Sequence, residues 1–294
     1  MKISVSSYSF QQYISKGKMT QLDAISCAAR MGFDAIEFTE LKPEADKTPT
    51  HDEQMAYAKE LRAEAQRCGI EISSYVMGAE LYKGSKEADD AEVQRLCRAV
   101  DVACELGAKI MRHDVNYSQA VNGKVIGFGR MLPTIADNAR RVAEYASSKG
   151  VRTCTENHGF IAQDSDRMEA LFCAVAHDNY GLLIDTGNFA CVDEDPAKAV
   201  SRLAPYAIHA HVKDFIVYEY GEPLPEGIKA ITTRGCRKLV GCAIGDGDMP
   251  TERCLAILKR AGYDGYVTIE FEGPKDCIAE IERGLEKLKE YLNK

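Results

Sequence analysis

Four side chains that could bind a metal ion stand near the C-terminal ends of four apolar segments of the chain. These residues are Glu156, Asp185, His211 and Glu270. Side chains alternate between the two faces of an extended strand, so the apolar neighbours of each residue face one way and the ligand-type residue faces the other. An ionised carboxylate in a protein interior costs several kcal/mol unless a cation or a close partner compensates it. We therefore predict one metal site shared by all four residues.

The ligand types narrow the choice of ion. Three carboxylates and one imidazole suit a hard or borderline divalent cation in octahedral geometry. We expect one such ion, with Mn2+ first and Co2+, Mg2+ or Zn2+ as alternatives. Four protein ligands would leave two positions for substrate oxygens, and the ion would stabilise negative charge that develops next to a carbonyl group.

Further polar residues share the faces of these ligands. His158 lies two residues beyond Glu156, so it is expected above the ion and in contact with the substrate. His209 precedes His211 by two residues and is expected one layer deeper, as a core residue or a support for the ligand. Lys213 also shares the face of His211 and could hold a substrate oxygen or phosphate.

Two earlier segments add candidates. Glu37 ends a segment in which Ile36 and Phe38 point outward, which makes Glu37 a candidate for substrate binding. Arg112 and His113 lie on opposite faces of a later segment, and the pattern alone does not decide which of them points inward. Arg112 is retained among the substrate-binding candidates.

The elements that must position these residues alternate strictly between strand and helix. Such alternation predicts a parallel sheet with right-handed crossovers, and eight units in this length fit a closed (β/α)8 barrel, the TIM barrel. A doubly wound open sheet is the alternative, but the first strand-to-helix turn lacks a GxGxxG motif. The predicted strands span 2–8, 33–38, 70–76, 108–113, 151–156, 181–185, 206–212 and 266–271. The predicted helices span 21–31, 51–67, 87–106, 133–149, 166–176, 196–203, 251–260 and 278–292.

No linker rich in Pro, Gly or Ser divides the chain, so residues 1–294 are expected to form one domain. In a TIM barrel the C-terminal ends of the strands meet at one mouth, which would bring ligands from strands five to eight together. The long loops 114–130 and 214–249 both follow strands, so we expect them over this mouth as lids or substrate-binding loops.

Composition excludes several classes of function. The formal charge is −8 and no basic run occurs, which argues against nucleic acid, because nucleic-acid binding depends on clustered Lys and Arg. No apolar stretch has the length of a signal peptide or a membrane span, so no membrane partner is expected. The eleven cysteines include no CxxC pair, which favours reduced thiols and a cytoplasmic location.

Five short motifs stand out along the chain: Glu-Asn-His-Gly at 156–159, Asp-Thr-Gly-Asn at 185–188, His-Val-Lys-Asp at 211–214, Gly-Asp-Gly-Asp at 245–248 and Gly-Tyr-Asp-Gly-Tyr-Val-Thr-Ile-Glu at 262–270. In type and order they resemble motifs of the xylose isomerase-like barrel superfamily, in particular its sugar phosphate isomerase/epimerase group. The resemblance implies that the metal ligands are the four residues named above, and that Glu156 and Glu270 are the catalytic acid/base pair. It also implies a homo-oligomer.

The chain departs from the ketose 3-epimerases of this superfamily in two places. Those enzymes and the hydroxypyruvate isomerases carry a histidine three residues after the metal aspartate, where this chain has Asn188. Asn188 can hydrogen-bond a substrate oxygen but cannot titrate, so it is a candidate for substrate binding. The epimerases' arginine after the metal histidine has no clear match, and Lys213 is the nearest cation. The His-x-Lys-Asp form is more similar to the inosose dehydratase and sugar phosphate isomerase branches.

These observations predict an isomerase or epimerase that acts on a small carbohydrate or sugar phosphate. Proton transfer next to a carbonyl would pass through an enediolate whose charge the metal ion stabilises. The main alternative is a metal-dependent dehydratase of a keto-inositol or keto-sugar, with His158 or Lys213 as the acid. Asn188 and the acidic surface argue against a phosphodiesterase similar to the apurinic endonucleases. The complete set of metal-type ligands argues against a binding subunit without activity.

Overall fold

A computed structural model describes residues 1–44 and 47–293, and its parallel strands close into an eight-stranded barrel. The strands are β1 (Lys2–Ser6), β2 (Ala35–Thr39), β3 (Glu71–Met77), β4 (Ile110–His113), β5 (Arg152–Glu156), β6 (Tyr180–Asp185), β7 (Ala207–Val212) and β8 (Tyr266–Ile269). Each strand pairs with the next, and β1 pairs with both β2 and β8. This closure confirms the predicted TIM barrel and rules out the open sheet.

In the described part of the chain, one long helix follows each strand of the barrel on its outside, and shorter helical turns lie in the connections. The long helices are α1 (Gln21–Met31), α2 (His51–Cys68), α3 (Lys86–Leu106), α4 (Phe128–Ser148), α5 (Ser165–Val175), α6 (Pro196–Leu203), α7 (Thr251–Arg260) and α8 (Cys277–Leu292). Several begin at residues whose side chains satisfy free backbone N–H groups, such as Thr20, which forms a capping box with Asp23 at the start of α1. Apolar residues at helical spacing pack these helices onto the strands.

Helix α4 begins earlier than its sequence predicts. The predicted start near Pro133 is wrong, because the helix begins at Phe128 and Pro133 lies inside it. Proline removes one helical hydrogen bond. The buried face formed by Met131, Ile135 and Ala139 runs through this position, and its burial holds the helix together across the proline.

The two long connections are more regular than loops. Residues 114–130 contain a hairpin of Ala120–Val121 and Lys124–Val125. Residues 214–249 contain an antiparallel sheet of Asp214–Tyr218, Ile231–Thr232 and Lys238–Cys242, which we call the cover sheet. These strands were not predicted from the sequence, although Phe215 and Leu239 are buried in a small apolar cluster apart from the barrel core.

Asp214 fixes the end of the cover sheet. Its carboxylate accepts hydrogen bonds from the backbone N–H groups of Gly245, Gly247 and Met249, at 2.8, 3.2 and 3.1 Å. A Cβ atom on Gly247 would lie 2.3 Å from Asp214 Oδ1, so only glycine fits there. The Gly-Asp-Gly-Asp motif therefore has a structural role as the partner of Asp214.

All eleven cysteines are free thiols. Among residues 1–44 and 47–293, none of the helices combines the length and the apolar character that a bilayer crossing requires.

Candidate metal centre and active site

The C-terminal ends of β5 to β8 bring the four predicted ligands together. One ligand atom from each of Glu156, Asp185, His211 and Glu270 lies within 4.8 Å of all the others. The first three are almost fully buried, and the side chain of Glu270, one residue beyond β8, is 13% exposed. Four neighbouring strands thus place three carboxylates and an imidazole around one small volume.

The two ring nitrogens of His211 differ in their hydrogen bonding. His211 Nε2 lies 2.9 Å from Glu37 Oε2, and a carboxylate can only accept, so Nε2 carries the hydrogen. The other nitrogen, Nδ1, faces Glu156 and Glu270 at 3.7 and 3.8 Å, beyond hydrogen-bonding distance, and is buried without a partner. A cation between Nδ1 and the carboxylates would satisfy all three groups. The donor set therefore fits a divalent ion.

The turn after β6 aims one oxygen of Asp185 at the same volume. Asp185 Oδ1 accepts hydrogen bonds from the backbone N–H groups of Gly187 and Asn188, at 2.8 and 2.9 Å. Its Oδ2 is left to face the other ligands. The side chain of Asn188 donates to Glu156 Oε1 at 2.9 Å. Asn188 thus orients a predicted ligand, a contact that the sequence did not indicate.

Lys213 supplies positive charge to the ligand cluster. Its Nζ lies 2.6 Å from Glu270, 3.2 Å from Asp185 and 3.4 Å from Glu272. Burial raises the pKa of Glu270, but Lys213 and His211 together outweigh this effect and hold the pKa well below its usual range. The pKa of Asp185 is raised instead, because the effect of burial outweighs that of the Lys213 charge. Lys213 therefore pairs with two of the three carboxylates among the predicted ligands.

A second network leads from the ligands into the cavity. Arg112 Nη2 donates to Glu156 at 2.6 Å and to Asp114 at 2.7 Å. Asp114 also accepts a hydrogen bond from the Tyr117 hydroxyl and one from His158 Nδ1 at 3.0 Å. Against the effect of burial, Arg112 and His158 lower the pKa of Asp114 to about 2. Asp114 was missed from the sequence, although it directly follows β4 as other site residues follow their strands.

The network also resolves the choice between neighbouring residues of β4. Arg112 lines the cavity, whereas His113 is fully buried and its Nδ1 contacts the Asp114 carbonyl oxygen at 2.9 Å. His158 is 40% exposed at its side chain, and its bond to Asp114 leaves Nε2 free. Both Arg112 and His158 are therefore placed where a substrate could reach them.

Glu37 lies beneath the ligands rather than in the cavity, which does not suit the substrate contact predicted for it. It is fully buried, and its Oε2 accepts hydrogen bonds from Ser74 at 2.5 Å, His211 at 2.9 Å and His209 at 3.2 Å. Burial opposes its ionisation, but the two histidines hold the pKa of Glu37 below its usual range. The pattern correctly indicated an inward face, but a strand pattern does not give depth along the barrel axis.

A cavity of about 1000 Å³ opens above the ligands. It reaches from the metal-type residues to the segments that follow β1 and β2. The predicted site residues that line it are Arg112, Glu156, His158, Asn188, Lys213 and Glu270. Both long connections contribute to its wall, through Tyr117 and Ile231. Near the ligand cluster, the carboxylates of Glu156, Glu270 and Glu272 line the cavity.

Relatives of this chain include two kinds of sugar enzyme. L-ribulose-5-phosphate 3-epimerase UlaE of Escherichia coli is 24% identical over 294 aligned residues, which cover 93% of this chain and 90% of that enzyme. Inosose dehydratase of Lacticaseibacillus casei is 24% identical over 160 residues, which cover 54% of this chain and 53% of that enzyme. The chain thus spans about half the length of the latter relative.

Solved structures show the same fold. The IOLI protein with a bound zinc atom superposes with a TM-score of 0.75 at 15% identity, covering 100% of this chain and 98% of that one. The family model described as xylose isomerase-like TIM barrel matches residues 25–293. With almost its whole length matched and a closed barrel of eight parallel strands, this chain belongs to the family of xylose isomerase-like TIM barrels.

Proposed function

We propose that this chain is a divalent-metal-dependent enzyme that transfers a proton next to the carbonyl group of a sugar, as an epimerase or isomerase. The observation that carries the proposal is the unpartnered His211 Nδ1, which faces two carboxylates across a gap at the base of the cavity. The epimerase relative from Escherichia coli supports the reaction type.

Glu156, Asp185, His211 and Glu270 would hold the ion. Mn2+ is the ion we expect first, and the zinc-bound structure of the same fold supports Zn2+ as an alternative. When bound, such an ion polarises a substrate carbonyl and stabilises the negative charge that develops on its oxygen. Glu37 would hold the imidazole of His211 with Nδ1 turned toward the other ligands, through its bond to Nε2.

Glu156 and Glu270 would move the proton. Both line the cavity, whereas Asp185 is fully buried beneath it. Arg112 and Lys213 pair with them at 2.6 Å each, which keeps both carboxylates ionised and fixed in position. One carboxylate would remove the proton next to the carbonyl and leave an enediolate. Return of a proton to the opposite face gives the epimer, and delivery to the neighbouring carbon gives the isomer.

A dehydratase is the second candidate, and one observation favours it. His158 is tied to Asp114 through Nδ1, so its Nε2 is free to protonate a departing hydroxyl group. Lys213, the other candidate acid, is already engaged by three carboxylates. The inosose dehydratase relative supports this reading over the half of its length that matches.

Deuterium exchange separates the candidates. Protein loaded with Mn2+ is incubated in D2O with a pool of ketoses and inososes, and the products are followed by NMR and mass spectrometry. An epimerase or isomerase returns a product that differs in mass only by the label, whereas a dehydratase gives a product that has lost water. Activity that survives exhaustive removal of metal would refute both readings.

A further inference from the structure

We infer that the substrate is an uncharged keto-sugar that carries a second ring, rather than a free or phosphorylated monosaccharide. The inference rests on the proposed function, because it concerns the substrate of the same site. Three features of the cavity carry it: its extent, the pairing of its cations and the aromatic side chains at its rim.

The cavity is larger than one sugar ring requires. At about 1000 Å³ it reaches the upper end of the range of pockets that hold drug-sized ligands, about 300 to 1,000 Å³. Its chemically active residues occupy only one end. The wall continues to Gln11, Thr20, Lys42 and Tyr57, which belong to the segments after β1 and β2 or to α2. A single ring next to Glu156 would leave this second end unfilled.

The lysines and arginines of the cavity already lie beside carboxylates. Among the described residues, the lysines and arginines that line it are Lys42, Arg112 and Lys213. Arg112 and Lys213 each lie 2.6 Å from a carboxylate oxygen, and Lys42 Nζ lies 3.6 Å from Glu40. A phosphate group bound to Arg112 or Lys213 would lie beside the carboxylate that already pairs with that cation, and the two negative charges would repel each other. An uncharged substrate meets no such repulsion.

Helix N-termini, the usual phosphate sites of TIM barrels, do not compensate for this. The first turn of α1 lines the cavity through Thr20 and Gln21, but the Asp23 carboxylate already accepts a hydrogen bond from the Thr20 N–H. The start of α8, which follows β8, is capped by the side chain of Asp276. A carboxylate of the chain itself therefore stands at each of these two helix starts.

The rim of the cavity offers aromatic surface. Tyr8, Tyr117 and Phe160 line it and are 39%, 48% and 40% exposed, which is unusual for large apolar side chains in this protein. One face of a pyranose or phenyl ring presents mainly C–H groups, which pack well on an aromatic face. Where the second ring is attached at the anomeric carbon of the reacting sugar, the glycosidic bond consumes the anomeric carbonyl, and the carbonyl needed for proton transfer lies elsewhere on that sugar. These requirements together describe a keto-glycoside.

Binding to the Mn2+-loaded protein tests this by calorimetry with three probes: D-fructose, D-fructose 6-phosphate and phenyl 3-keto-β-D-glucopyranoside. We expect the glycoside to bind at least about tenfold more tightly than fructose, and the phosphate to bind no more tightly than fructose. Phe160→Ala should weaken binding of the glycoside by about three- to tenfold and leave fructose unchanged. Tyr220→Ala is the matched control, because Tyr220 is 82% exposed and lies outside the cavity lining.

Two outcomes overturn the inference alone. They are a tenfold preference for fructose 6-phosphate over fructose, and equal binding of the glycoside and fructose. Proton exchange in D2O, measured on the same samples, keeps these outcomes apart from failure of the proposed function. Proton exchange on fructose 6-phosphate would support the proposed proton transfer and contradict the inference that the substrate is a keto-glycoside. If no probe binds and none exchanges its proton, the proposed function and the inference about the substrate are both wrong.

Discussion

His211 joins two buried polar clusters that differ in how their charges are matched. Below it, the single carboxylate of Glu37 receives hydrogen bonds from Ser74 and from two imidazoles, those of His209 and His211. Above it, three carboxylates surround a nitrogen that none of them reaches within hydrogen-bonding distance. The lower cluster is held by its own hydrogen bonds, whereas in the upper cluster His211 Nδ1 is buried without a partner, although Lys213 and Arg112 pair with the carboxylates around it. This difference is the reason why we propose that the upper cluster binds the ion and that the lower cluster supports His211 from beneath.

The sharpest way to break the comparison is to neutralise a carboxylate of the upper cluster. Glu270→Gln should lower the rate of substrate proton exchange by about 10²- to 10⁴-fold, because the amide cannot accept the proton. The rate is measured by NMR in D2O with Mn2+ present. Glu272→Gln is the matched control, since Glu272 lies two residues further on and its contact with Lys213 is longer, at 3.4 Å. A loss of less than tenfold in Glu270→Gln would contradict its catalytic role.

Metal addition should stabilise the protein only while the upper cluster is intact. At an ion concentration of one hundred times Kd, binding raises the free energy of unfolding by about 2.7 kcal/mol. Thermal unfolding with and without Mn2+ should show this gain in the natural chain and lose it in Asp185→Asn. Asp264→Asn, a change at an exposed aspartate, should keep it. An equal gain in both variants would place the ion elsewhere.

The lower cluster should affect the upper one through His211. Glu37→Gln weakens the acceptor that holds His211 Nε2, so we expect the affinity for Mn2+ to fall by about 10- to 100-fold. Calorimetric titration of the metal-free protein measures this directly, without reference to activity. Ser74→Ala is the control, because it removes another bond to the same oxygen and leaves the bond to His211. If both variants bind Mn2+ like the natural chain, Glu37 does not position His211.

The smallest effect is expected at the edge of the lower cluster. The hydroxyl of Thr268 lies 3.1 Å from His209 Nε2, one layer away from the ligands. Thr268→Val keeps the shape of the side chain and should reduce the free energy of unfolding by about 1 kcal/mol, as measured by urea denaturation. Its affinity for Mn2+ should not change. A drop in that affinity would show that the two clusters are less separate than their hydrogen bonds suggest.

Much of the fold could be predicted because alternation of strand and helix leaves few topologies. The barrel and the family are confirmed, and the structure brings Glu156, Asp185, His211 and Glu270 together. These four residues were accessible from the sequence because strand periodicity fixes which face a side chain occupies, and the barrel fixes which strand ends meet.

What the sequence did not yield depends on contacts across the barrel. Glu37 and Asp114 both point inward, but one supports a ligand from below and the other orients His158 from beside the cavity. These roles follow from pairs that lie far apart in sequence, and periodicity carries no information about such pairs. The early start of α4 escaped prediction for a related reason, because packing of its buried face outweighs the local effect of Pro133.

The carboxylate of Asp214 has a consequence for how this protein could evolve. It anchors residues 245–249 to the end of β7, three positions after His211, whereas the connection 219–230 between two strands of the cover sheet lies outside that attachment. Insertions and deletions in such a connection are tolerated, since they disturb neither the anchor nor the strand. Lineages of this barrel can therefore vary this connection from one descendant to the next while inheriting the four candidate metal ligands unaltered.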